Sequence, residues 1–189
     1  MLLLLCVVLG VIAGWLNGGK LSGLVRLKGL YLPIVSFILA SLPGYLSEIY
    51  VLKALSLSFS YYCILSFALL NRRYLLSCVL IGLGTISNFA VIAANRFRMP
   101  VSEYALDFYP TMTAEGVLAT HADYFIAVNN DANLLILGDV ICIPVPYIGG
   151  FISIGDVFLA LGVFLLVLAV MSFSKAQDAP FFCWQPHRH

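Results

Sequence analysis

Residues 151–173 read FISIGDVFLALGVFLLVLAVMSF, a run in which the one charged side chain is Asp156. A stretch this long and this apolar matches the thickness of a bilayer core, which takes about 20 residues of helix. The rest of the chain agrees. Of 189 residues, 62% are hydrophobic and 10% charged, with a mean hydropathy of +1.02, against roughly 45–50% apolar and about 25% charged in soluble domains. Ten Lys and Arg face nine Asp and Glu, for a formal charge of +1. That balance provides no footprint for nucleic acid, and the composition excludes a soluble enzyme fold.

Working outward from this run, four more apolar stretches are expected to be helical. The predicted fold is an all-α membrane protein, a five-helix transmembrane bundle forming one integral domain over 1–189. Its spans lie at about 2–16, 29–47, 51–70, 74–94 and 151–173, with an outer-face cap at 95–150 and a cytoplasmic tail at 174–189 that is expected to be disordered. The first span carries Gly10, Gly14 and Gly18 at four-residue spacing, a stripe on which another membrane protein could pack closely. Residues 18–30, GGKLSGLVRLKGL, form a basic amphipathic connector suited to lipid headgroups. Pro33, Pro43 and Gly44 should kink the second span. Asn71-Arg72-Arg73 reverses the chain between the third and fourth.

Positive residues stay on the cytoplasmic side near span ends. In a five-span arrangement Lys20, Arg26, Lys28, Arg72, Arg73, Lys175 and Arg188 share one side, and Lys53, Arg96 and Arg98 the other. This puts the N-terminus outside, the C-terminus in the cytoplasm and the cap on the outer face of a cytoplasmic membrane. Within the cap, Tyr124–Val128 and Leu134–Leu137 look like strands separated by the turn Asn129-Asn130-Asp131, which predicts a β-hairpin. Pro144, Pro146 and Gly149-Gly150 return the chain to the last span.

The candidate chemistry rests on a near-repeat. Gly138-Asp139-Val140 is echoed seventeen residues later by Gly155-Asp156-Val157. Asp156 is placed about a turn and a half inside the last span, where an ionisable group is costly and points to function. Asn88 and Asn95 share a helix face, and Arg96 and Arg98 follow at the same interface. Two aspartates sharing a site would split their titrations into one acid and one base, as paired-carboxylate hydrolysis needs. Asp139 and Asp156 are thus the candidate catalytic pair, with Asn88, Asn95, Arg96 and Arg98 in support. A helix cap or a local ion pair would equally account for Asp156. His121 is isolated, and Cys6, Cys63, Cys78, Cys142 and Cys183 have no ligand spacing, so neither a metal nor a cofactor is expected.

The segments NFAVIAANRFRMPV (88–101), LGDVI (137–141), FISIGDV (151–157) and GGKLSGL (18–24) resemble an uncharacterised bacterial family of small multi-pass membrane proteins, a domain of unknown function. That resemblance covers nearly the whole chain and implies location without an activity. Residues 138–170 also resemble, in part, the lipoprotein signal peptidases, which implies an aspartyl dyad of Asp139 and Asp156; Ser153 stands where that family has Asn. Two functions are therefore expected to compete. One is a structural or accessory subunit that sits in the lipid bilayer and docks other membrane proteins. The other is an intramembrane aspartyl hydrolase or peptidase working at the outer interface.

Overall fold

The computed structural model describes residues 2–44, 49–107, 124–127, 131–143 and 150–178. Six helices and four strands are found among them: α1 Leu2–Leu16, α2 Tyr31–Ser41, α3 Tyr50–Leu70, α4 Leu75–Ala94, β1 Met99–Ser102, α5 Glu103–Asp107, β2 Tyr124–Ala127, β3 Asp139–Ile143, β4 Gly150–Ser153 and α6 Ile154–Asp178. Short 3₁₀ segments cover Leu21–Arg26, Leu42–Gly44 and Leu135–Leu137.

Three of the described helices are long and apolar enough to cross a membrane: α3, α4 and the Ile154–Ser172 part of α6. The expected five-helix bundle is therefore reduced to three such helices and two shorter apolar ones. At 1.5 Å per residue, α1 and α2 reach only about 22 and 16 Å, short of a core about 30 Å thick. Local chemistry sets both limits. After α1 the chain turns at Gly18, with φ 75°. Pro33 sits in the first turn of α2, where it does no harm, while Pro43 falls in the tight turn that ends this helix. Large side chains on these helices are open to the surroundings: Trp15, Leu16 and Phe37 are 72%, 80% and 76% exposed. Such a surface is compatible with lipid as its solvent.

The long helix α6 is the centre of the packing. On one side it meets α1 across Gly10 and Gly14, where an added methyl would lie 3.1 Å from Val167 Cβ and 2.6 Å from Met171 Sδ. On another it meets α4 across Gly84, Gly155 and Gly162, each backed by the opposite helix. Association inside a membrane depends on such close approach rather than on hydrophobic exclusion from water. The pair α2 and α3 is joined differently, by buried hydroxyls. Ser36 and Ser60 Oγ lie 2.9 Å apart, and Ser56 donates to the carbonyl of Leu39 at 2.7 Å. Asn71 closes the far end of the bundle, exchanging bonds with the backbone of Lys28 at 3.0 and 2.9 Å. A core of Phe67, Tyr74, Cys78, Ile81, Leu166 and Val170 fills that end, and a second of Leu57, Val91, Ile92 and Met99 lies beneath the sheet.

The cap is a mixed four-stranded sheet of order β2-β1-β3-β4. β1 pairs in parallel with β2 and β3, and β3 runs antiparallel to β4. This corrects the predicted hairpin. Tyr124–Ala127 forms a strand but aligns with Met99–Ser102, and Leu135–Leu137 is a tight turn entered through Leu134 in the left-handed region, φ 54°. Four consecutive apolar residues carry no alternation to separate strand from turn. The turn residues Asn129 and Asn130 lie outside the described residues, as do His121, Pro144, Pro146, Gly149 and Cys183. At its start, the predicted last span also differs: residues 151–153 belong to β4 and the helix begins at Ile154. At its other end α6 continues to Asp178, through the first residues of the expected disordered tail; residues 179–189 lie outside the described residues.

Candidate functional site

The strand-to-helix junction at 153–156 holds a dense polar network where the sheet meets the helices. Ser153 ends β4 and opens α6 as its N-cap. The Asp156 amide donates to Ser153 Oγ at 2.9 Å, and the Ser153 amide donates to Asp156 Oδ2 at 3.0 Å. This reciprocal exchange is a capping box with aspartate in the third helical position. Asp156 is thus in the first turn of α6, not a turn and a half inside the span. Asn88 of α4 completes a ring across the helix pair: its Nδ2 donates to Asp156 Oδ1 at 2.7 Å, and its Oδ1 accepts from Ser153 Oγ at 2.8 Å. Gly155 is the residue that lets this happen, since a Cβ there would collide with Asn88 Oδ1.

Asp139 lies one strand away. It opens β3, pairs with Val101 of β1 and Ser153 of β4, and is 2% exposed. Tyr124 of β2 hydrogen-bonds its carboxyl group, while Asp139 Oδ1 has no partner among the described residues. Burial, followed by the nearby charge of Asp156, pushes the Asp139 carboxyl up to about 7; the bond to Tyr124 acts in the opposite direction. Burial and the same two carboxylates push the Tyr124 phenol up as well.

Of the residues expected to support the pair, the structure brings in Asn88 and sends the others elsewhere. Asn95 Nδ2 donates to the carbonyls of Val91 and Asn133 at 2.8 and 2.7 Å, and its Oδ1 accepts the Asn133 amide at 3.0 Å. Arg98 donates to the carbonyl of Tyr124 at 2.6 Å and lies over the Phe125 ring at 5.6 Å. Arg96, exposed and with φ 56°, lines with Arg98 a separate cleft of about 510 Å³ that neither aspartate borders. Ser153 and Tyr124 were missed by the sequence reading. Ser153 was legible as the first residue of an S-x-x-D box, whereas Tyr124 meets Asp139 only through the sheet. Among the described residues no group of acidic, histidine or cysteine side chains could hold a metal ion.

Part of the glycine stripe packs within the chain. Gly10 and Gly14 are covered by Val167 and Met171 of this same chain, and Gly18 is exposed at the turn after α1.

A family model described as "Family of unknown function (DUF5317)" matches residues 24–168. The chain belongs to this family. The matched region of DUF5317 contains Asn88, Asp139, Ser153 and Asp156, together with α2 to α4 and the cap. No curated protein and no solved structure matches the chain.

Proposed function

We propose that this DUF5317 protein is a structural or accessory subunit of a bacterial cytoplasmic membrane, with the N-terminus outside, and that it docks other membrane proteins through its folded outer cap. The observation that carries this reading is the closed ring of Asn88, Ser153 and Asp156. Both Asp156 oxygens and both polar atoms of the Asn88 amide are already engaged by the protein. A carboxylate in that state joins two helices and a sheet and has little left with which to activate water. Lys28, Arg72 and Arg73 cluster where Asn71 closes the far end of the bundle, which supports a cytoplasmic position for that end.

A second reading, the intramembrane aspartyl hydrolase, is favoured by Asp139 alone. This carboxyl is buried with one oxygen unpartnered, beside Asp156, and is held near neutrality. A carboxyl that keeps its proton up to about pH 7 next to a second carboxylate is the arrangement acid-base hydrolysis uses.

A double-mutant cycle on the full-length protein in detergent separates the two. With a structural ring, Asn88→Ala and Asp156→Asn each lower the thermal midpoint, and the double variant loses less than their sum. If both variants keep the wild-type midpoint and Asp156→Asn or Asp139→Asn abolishes cleavage of a membrane-anchored peptide, the structural reading fails and the hydrolase stands.

A further inference from the structure

The cleft beyond the end of α4 is built from residues that the polar ring leaves unused. Asn95, the C-cap of α4, grips both backbone groups of Asn133, and Asn133 Nδ2 returns to the carbonyl of Ala94 at 3.1 Å. These bonds fasten residues 131–133 to the helix end and bring Asp131 into the lining of the cleft. Arg98 lines the same cleft, held by the Tyr124 carbonyl and the Phe125 ring. One of its nitrogens is committed to that carbonyl, and the guanidinium has further N–H donors.

Arg96 is the informative residue. The amide of Phe97 donates to the carbonyl of Ile92 at 2.8 Å, closing α4 in the manner of a Schellman turn with Arg96 in the left-handed position. Glycine occupies that position without strain, and an arginine there costs conformational energy. The chain nevertheless places a guanidinium at the rim of the cleft, two residues after the last residue of a candidate span and so at headgroup depth. Two guanidinium groups match a phosphate, and a carboxylate in the same lining matches a primary ammonium. The volume of about 510 Å³ falls within the ~300–1,000 Å³ of small-ligand sites.

From this we infer that the cleft formed by Arg96, Arg98 and Asp131 binds the headgroup of an ethanolamine phospholipid, phosphate toward the arginines and ammonium toward Asp131. The inference depends on the membrane placement of α4 and not on either functional reading. A choline headgroup lacks the N–H donors for Asp131, and a glycerol headgroup lacks the cation.

The test is native mass spectrometry of the full-length protein in detergent, titrated with dioleoyl phosphatidylethanolamine, phosphatidylcholine or phosphatidylglycerol. The wild type should retain the ethanolamine lipid about tenfold better than the choline lipid, and Arg96→Gly should reduce that retention about tenfold, the scale of one charge-assisted hydrogen bond. Because glycine relieves the strained position, the thermal midpoint of Arg96→Gly should hold or rise, which a merely structural arginine would not allow. Asp131→Asn should remove the preference for ethanolamine over glycerol lipid. Equal retention of all three lipids by the wild type, or unchanged retention in Arg96→Gly, overturns the proposal. Displacement of the lipid by soluble phosphoethanolamine at equal concentration overturns its assignment to a lipid.

Discussion

Ser153 carries more of the structure than its size suggests. It is fully buried, caps α6 through its Oγ and donates that same hydroxyl to Asn88. Ser153→Ala removes the cap and leaves a buried Asn88 oxygen unpaired, so a loss of about 1–3 kcal/mol is expected in denaturant titrations. Asp139 predicts the opposite kind of change. Its folded carboxyl, faced by Tyr124 from β2, Asp156 from α6 and Tyr61 from α3, is raised to about 7 from an ordinary value of 3.8. The folded state therefore holds a proton that the unfolded state releases, and stability falls as pH rises between these two values. The slope approaches about 1.4 kcal/mol per pH unit at most. Thermal midpoints recorded from pH 4 to 8 should show this decline in the wild type, and Asp139→Asn should flatten it.

At the scale of elements, the α4–α6 contact sets glycines with opposite expectations. In an isolated helix, Gly→Ala gains up to about 1 kcal/mol. Gly82 faces open space on α4, so Gly82→Ala should show that gain. Gly155 is pressed against Asn88 and the backbone of Gly84, and Gly155→Ala should lose about 1–3 kcal/mol through overpacking and weaken the ring as well. Comparing the two unfolding midpoints in one background checks both. A further consequence concerns β3. Because β3 lies between β1 and β4, with Asp139 paired to Val101 on one side and to Ser153 on the other, the sheet holds this aspartate near its centre rather than at an edge.

For the whole molecule, the proposed membrane placement is tested by which face carries the sheet. The end of α4 and the start of α6 meet at the cap, while Arg72 and Arg73 lie at the opposite turn. In a background without native cysteines, a membrane-impermeant maleimide should label Ala132→Cys on intact cells and Arg72→Cys only after permeabilisation. The reverse pattern would invert the proposed orientation.

Much of the architecture was written in apolar run lengths. The boundaries of α1, α3 and α4 follow from where continuous hydrophobicity stops, because a helix facing lipid must stay apolar along its whole length. The aspartates, too, stood out, since few charges interrupt such a chain. Run length says nothing about partners, however. The pairing of β2 with β1, the covering of Gly10 and Gly14 by α6 and the meeting of Tyr124 with Asp139 join residues distant in sequence, and local patterning is blind to them. The sequence by itself determined an apolar chain with helices compatible with a membrane, a more polar segment and two notable aspartates. Only the tertiary structure decided that Asp156 is consumed by a capping ring while Asp139 is buried beside it, because hydrogen-bond satisfaction depends on which side chains packing brings within 3 Å or so of each other.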